Sequence, residues 1–221
     1  MTILVVVAHP DDEVLGSGGT LARHAERGDE VHIAFLTDGV GARSEDRAAA
    51  AQRAAASKQA AAHLGAHEPR FLGFPDNRLD AVDLLTVVKA IEAVVADVKP
   101  DAVYTHHGGD LNIDHVLCHR AVLTACRPLP GSTVRRIFAM EVASSTEWAP
   151  SASGAFVPTR FVDISGFRAA KRRALEAYSE EMRSFPHARA FESIEALERW
   201  RGASVGLTCA EAFMVVRDIE A

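Results

Sequence analysis

The chain has 221 residues, 48% of them apolar, with 24 Lys plus Arg against 30 Asp plus Glu for a formal charge of −6. A chain of this length buries roughly 70% of its unfolded surface, so neither disulfide nor metal is needed merely to fold, and any metal site has to be explained by chemistry. The acidic balance, a sequence pI near 5.9 and 6% aromatic content argue against a nucleic-acid binder, which shows a basic face or stacking aromatics.

Ile3 to Ala8 is a continuous apolar, β-branched run, which predicts a strand buried on both faces of a parallel sheet. It is far short of the ~20 residues that span a bilayer, and no charged segment precedes it as in a signal peptide. Cys118, Cys126 and Cys209 are an odd number without C-x-x-C spacing, which fits reduced thiols. The expectation is a cytoplasmic chain without a membrane span.

After the break at residues 9–19, a helix is predicted from about Gly19 to Arg27, ended by Gly28, and then a strand over Glu30 to Leu36. The Ala-rich stretch from Arg47 to Leu64, closed by Gly65, predicts a strong helix, and Arg70 to Phe74 a short strand entering the turn Pro75-Asp76-Asn77. Leu84, Val87, Val88, Ile91, Val94, Val95 and Val98 recur on one face of an amphipathic helix that Pro100 ends. A strand over Asp101 to Thr105, a Gly-containing loop and a helix from Asp114 to Cys126 follow. Then come a strand near Arg136 to Val142, a Ser- and Pro-rich loop from Ser144 to Pro158 and a strand near Phe161 to Ile164. Helices near Phe167 to Arg183 and Ser193 to Arg201 precede a last strand, Ala212 to Val216. Strands alternating with helices predict one α/β domain over residues 1–221, a three-layer sandwich around a Rossmann-like, mainly parallel sheet.

Two segments at predicted strand exits could carry chemistry, because ligands of open α/β sheets gather beyond the carboxyl ends of strands. The first is Ala8-His9-Pro10-Asp11-Asp12-Glu13, which concentrates one imidazole and three carboxylates where a solvated turn needs none. His9 and Asp12 are ordinary Zn²⁺ ligands, but a catalytic zinc takes three protein ligands and an open position, so a second segment must contribute. That segment is Thr105 to His115, in which His106, His107 or His115 could complete the set. His119 gives an H-x-x-x-H pair with His115, but Val116 stands where the zinc-protease motif has Glu.

The run Val7 to Glu13, with Gly16, Gly18 and Gly19 after it and Asp114-His115 downstream, resembles the PIG-L/LmbE family of metal-dependent de-N-acetylases. Leu36-Thr37-Asp38-Gly39 and Phe74-Pro75-Asp76-Asn77 extend the likeness in the family's order. The resemblance implies one Zn²⁺ per chain held by His9, Asp12 and His115, with other divalent ions acceptable to such ligands, and Asp11 as general base on the water that the metal activates. It implies substrate contacts from Arg53 and Asp76, hydrolysis of an N-acetyl group on an amino sugar or sugar-containing metabolite, and it leaves a homo-oligomer open. Many relatives carry His-Pro-Asp-His where this chain has Asn112-Ile113-Asp114-His115. The first histidine, taken to polarise the carbonyl, is therefore Asn112 here, and His106 or His107 could take its place, or the metal and Asn112 suffice. Asp114 is the expected acceptor that orients His115, with Asp110 as the other option.

Other readings compete. A metal hydrolase of another amide and a metal-binding module without catalysis use the same residues. Gly16-Ser17-Gly18-Gly19 could pass for the phosphate loop of a non-catalytic nucleotide-binding module, but the G-x-G-x-x-G spacing is absent, close helix packing explains the glycines, and the acidic triplet would repel a pyrophosphate. Cys118 falls inside a predicted helix, where a structural thiol is usual. Arg168, Lys171, Arg172 and Arg173 read as a solvated helix face or as a site for an anionic part of the substrate. Glu141 and Ser144 to Glu147 offer groups suited to sugar hydroxyls, beside Trp148 in the loop expected to shape the pocket.

Overall fold

The computed structural model describes residues 1–41 and 47–220, apart from the side chain of Arg47. Seven strands, β1 Thr2–Val7, β2 Glu30–Thr37, β3 Arg70–Phe74, β4 Ala102–His106, β5 Arg136–Met140, β6 Arg160–Asp163 and β7 Ala210–Asp218, form one sheet. The helices are α1 Asp12–Glu26, α2 Arg47–Leu64, α3 Leu84–Val98, α4 Ile113–Ala125, α5 Arg168–Ala177 and α6 Phe191–Ala203. Strand order is β3-β2-β1-β4-β5-β7-β6. The first five strands run parallel, and β7 is antiparallel to both β5 and β6.

Alternate residues of β1 feed opposite layers, as the pleat requires. Ile3, Val5 and Val7 pack with Val14 and Leu21 of α1, Ala60 and Leu64 of α2 and Leu175 of α5. Leu4 and Val6 pack with Val87 and Ile91 of α3 and Ala121 and Val122 of α4. This is the expected three-layer α/β sandwich, and the unbroken apolar run of β1 is explained by burial on both faces. No helix among the described residues is long and apolar enough to cross a membrane.

Helix α1 begins at Asp12, seven residues before the expected Gly19. The glycines therefore lie inside the helix and form no phosphate-cradling loop. A Cβ on Gly16 would stand 2.6 Å from Met140 Sδ and 2.9 Å from the Glu141 carbonyl oxygen, and one on Gly19 would stand 2.8 Å from Ile164. Their absence of side chains lets α1 press onto the sheet, outweighing the cost of glycine in a helix.

Within the basic cluster Arg172 and Arg173 are exposed, as on a solvated face, but Lys171 is not. Lys171 is buried, donates to the Leu15 carbonyl at 3.1 Å and pairs with Glu211 at 2.7 Å and Glu198 at 3.1 Å. Glu211 in turn accepts the backbone N–H of Gly19 and Thr20 at 2.9 and 2.7 Å, so this ion pair is built into the backbone of α1. Arg168 and Arg172 both pair with Glu195, which leaves the cluster largely neutralised within the protein.

Alanine favours a helix over glycine by about 1 kcal/mol, but overpacking a tight contact costs about 1–3 kcal/mol. Gly16→Ala is therefore expected to lower the urea midpoint of unfolding. A raised midpoint would show that Met140 and the β5 exit yield freely.

Candidate active site

The site is built where β1 and β4 end. Beyond Val7 the chain turns through Ala8 to Asp11, and Asp11 adopts φ 127° and ψ −28°, a conformation that costs an L-residue about 1–3 kcal/mol. Several bonds hold that turn. The Asp11 N–H donates to Glu13 Oε2 at 3.0 Å, Tyr178 donates to Glu13 Oε1 at 2.8 Å, and Arg53 Nη1 donates to the Pro10 carbonyl at 2.9 Å. Burial raises the Glu13 carboxyl to about 8 against the opposing hydrogen bonds from Tyr178 and the Asp11 amide. Glu13 thus braces the turn from below. Across the crevice, Asn112 caps α4 by accepting the Asp114 N–H at 2.8 Å, which sets Asp114 and His115 in the first helical turn.

His9, Asp12 and His115 converge. His9 Nδ1 lies 3.2 Å from both Asp12 Oδ2 and His115 Nε2, and His115 Nε2 lies 3.3 Å from Asp12 Oδ2. Ligands at 2.0–2.2 Å from one ion with cis or tetrahedral angles stand ~3.0–3.5 Å apart, so this donor set fits a divalent ion such as zinc. Asp12 Oδ1 is buried without a hydrogen-bond partner, as an oxygen reserved for a cation would be. The local field agrees. Burial disfavours a charged His9, yet Asp114, Asp12 and Asp76 outweigh it and carry the imidazole up to about 10 in the absence of metal.

Each histidine of the triangle is backed by carboxylate. His9 turns its Nε2 toward Asp114 Oδ2 and Asp76 Oδ1, each at 3.3 Å. Behind His115 the acceptor is Asp110, not Asp114 as expected, with Asp110 Oδ1 3.2 Å from His115 Nδ1. Ser145 Oγ, Thr146 Oγ1 at 2.6 Å and the Asn112 N–H at 2.9 Å all donate to Asp110. Burial pushes the Asp110 carboxyl up, but His115, Ser145 and Thr146 together hold it well below the usual range. Asp114 Oδ1 instead accepts the Leu79 N–H at 3.0 Å, because its position one residue earlier on α4 points it at His9.

Asp11 sits beside the triangle without joining it. Its Oδ2 accepts from Arg189 Nη1 at 2.8 Å and faces Arg53 Nη1 at 3.9 Å, while its buried Oδ1 has no hydrogen-bond partner. Burial raises the Asp11 carboxyl to about 6, with Arg189 opposing. Arg189, in the connection between α5 and α6, also donates from Nε to Ser144 Oγ at 2.6 Å. No motif or spacing marks this arginine in the sequence.

The remaining expected residues are engaged elsewhere. Arg53 Nη2 pairs with Glu181, and Arg53 is only 7% exposed, so it anchors the turn from beneath. Asp76 is 3% exposed and lies behind His9. His106 is fully buried, stacks on His115 at 3.8 Å, and uses Nε2 to accept the Ala8 N–H at 2.8 Å. His107 Nε2 donates to the Gly154 carbonyl at 2.9 Å. Asn112 gives its amide to the α4 cap and to Asn77 at 3.2 Å. Glu141 is held by Arg201 at 2.8 and 2.7 Å, and Cys118 is buried with its thiol pushed up by burial, as for a structural thiol.

Partners that orient metal-ligating histidines are typically worth 10–100-fold in metal affinity. Asp110→Ala is expected to weaken zinc binding by a factor in that range, read by competition with a chromophoric chelator. Wild-type affinity in the variant would mean that Asp110 does not position His115.

Four similarities bear on this arrangement. The family described as PIG-L: GlcNAc-PI de-N-acetylase matches residues 4–126. The 1D-myo-inositol 2-acetamido-2-deoxy-alpha-D-glucopyranoside deacetylase of Rhodococcus opacus (strain B4) is 30% identical over 241 aligned residues, covering 83% of this chain and 82% of that protein. The crystal structure of the conserved protein TT1542 from Thermus thermophilus matches with a TM-score of 0.82 at 26% identity, over 99% of this chain and 96% of that one. GalB, the 4-carboxy-2-hydroxymuconate hydratase of Pseudomonas putida KT2440, shares the fold with a TM-score of 0.77 at 22% identity, over 100% and 98% of the two chains. With more than half of its length matched by the family, and both strand-exit segments inside that match, the chain belongs to the PIG-L family of GlcNAc-PI de-N-acetylases.

Proposed function

We propose that the protein is a metal-dependent hydrolase that removes an N-acetyl group from an amino sugar or a sugar-containing metabolite. The observation that carries this reading is the donor triangle of His9, Asp12 and His115 beside a carboxylate, Asp11, that is outside the triangle and has one oxygen without a partner. The deacetylase named among the relatives supports the N-acetylated sugar as substrate.

His9, Asp12 and His115 would hold the ion, with zinc as the metal that two imidazoles and a carboxylate suit best. A divalent ion there supplies Lewis acidity to the acetyl carbonyl and lowers the pKa of water. Asp11 Oδ1 accepts the proton as water adds to the acetyl carbon, while Arg189 fixes the carboxylate through Oδ2. Breaking the C–N bond then requires a proton at the leaving nitrogen, and Asp11 returns the one it took. Acetic acid and a free amine result, and at neutral pH the acid's proton passes to the amine, leaving acetate and an ammonium ion, so atoms and charge balance.

The test measures amine release from a panel of N-acetylglucosaminides together with metal content. Removing the metal with a chelator should abolish release, and added zinc should restore it. Asp11→Asn should keep wild-type metal content and lose about 10²–10⁴-fold in turnover, the range for a general acid–base group. Loss of metal along with turnover would overturn the division between ligand and base. No amine release by metal-loaded wild type from any panel member would overturn the deacetylase reading. Arg189→Ala should lower kcat more than it changes KM, with partial recovery in Arg189→Lys, because the residue orients the base and is not assigned to the substrate.

A further inference from the structure

We propose that Glu30, His32 and His67 form a second transition-metal site at the opposite end of the sheet from the candidate active site. The proposal is independent of the hydrolase reading. Strand alternation puts Glu30 and His32 on one face at the start of β2, two residues apart. His67 lies in the connection between α2 and β3, and its backbone N–H donates to the Val31 carbonyl at 2.8 Å, which fixes it beside β2. The rings of His32 and His67 stack face to face, with centroids 4.3 Å apart and planes within 8°. Glu30 Oε2 lies 3.9 Å from His32 Nε2, and one donor atom from each of the three residues falls within 4.8 Å of the others.

Two imidazole nitrogens and one carboxylate oxygen suit Zn²⁺, Ni²⁺ or Cu²⁺, whereas Mg²⁺ and Ca²⁺ take oxygen sets. The donor atoms lie within 4.8 Å of one another against ~3.0–3.5 Å in a coordinated set, so binding an ion would turn the two rings out of their parallel stack until both in-plane lone pairs meet at one point, and Glu30, at 68% side-chain exposure, has room to follow. His32 pairs with Leu4, five residues before His9, which places the two sites about 16 Å apart along the strands. An ion there would tie the start of β2 to the α2–β3 connection and stabilise the folded chain by mass action.

The experiment is zinc titration by calorimetry, with thermal melts, on four proteins: wild type, His67→Ala, His115→Ala and the double variant. Wild type should take up two equivalents, and His67→Ala one, with amine-release activity unchanged. His115→Ala should retain one equivalent and a zinc-dependent rise in melting temperature, and both should vanish in the double variant. His67 is exposed, so its loss should not disturb folding, and circular dichroism checks this. Equal zinc uptake by wild type and His67→Ala, or by His115→Ala and the double variant, would overturn the proposal whatever the fate of the active-site reading.

Discussion

β1 and β4 lie side by side and parallel, Ile3 against Ala102 and Val5 against Tyr104, and from this pairing the site takes its position. The chain leaves β1 through α1 toward β2 on one side, and returns from β3 through α3 to β4 on the other, so the connections diverge and leave a crevice between the two strand ends. Helix α1 packs on one face of the sheet and α4 on the other. Their first turns face the same crevice, with Asp12 opening α1 and Asp114 and His115 opening α4. Carboxylates at helix N-termini are favoured by the aligned peptide dipoles, which helps such groups remain ionised under burial.

Concentrating carboxylates there is costly unless each is compensated. The arrangement divides the work. Asp110 and Asp114, with Asp76, stand behind the histidines, Asp12 faces their ring nitrogens, and Asp11 is held by Arg189 with Arg53 nearby. Arg53 comes from α2 and Arg189 from the α5–α6 connection, and both meet Glu181. The strained Asp11 turn is therefore clamped by segments from the middle and the end of the chain, a use of distant sequence that keeps a carboxylate at a conformation it would not adopt unaided.

What could be read from the sequence follows from how local each feature is. The β1 run declares its burial by composition alone, and the place of His9, Asp12 and His115 at strand exits is enough to expect the three to converge, as they do. The start of α1 is hidden because residues 9–19 look like a break, with Pro10 and three glycines, whereas the helix tolerates those glycines for the sake of contact with Met140 and Ile164. Asp110 and Asp114 cannot be told apart without the backbone path, since a shift along the α4 entry decides which histidine each carboxylate meets. Lys171 shows in the sequence only as one member of a basic helical cluster, and Arg189, in a connection, carries no local signal. Their partners, Glu211 and Asp11, lie 40 and 178 residues away, and charged residues on a surface helix read the same as ones turned inward.

Asn112, at a position where the family resemblance implies a histidine, bears most directly on mechanism. Asn112 spends its oxygen on the α4 cap, His106 spends Nε2 on the Ala8 amide, and His107 spends Nε2 on the Gly154 carbonyl. His106 Nδ1 is buried without a partner, sealed from solvent, and burial, reinforced by neighbouring His115, keeps the ring neutral. His106 and His107 therefore offer no proton donor to a carbonyl oxygen as they stand, and Asn112 commits one of its two side-chain N–H groups to Asn77. On the proposed reading, carbonyl polarisation then falls to the metal, and proton delivery to Asp11, so one carboxylate serves both halves of the reaction. A fold shared with a hydratase does not by itself select amide hydrolysis. On the proposed reading, selection would come from the pairing of a three-donor triangle with an independently clamped carboxylate, because breaking an amide needs a proton at nitrogen as well as a nucleophile at carbon, and Asp11 would handle that proton in both directions.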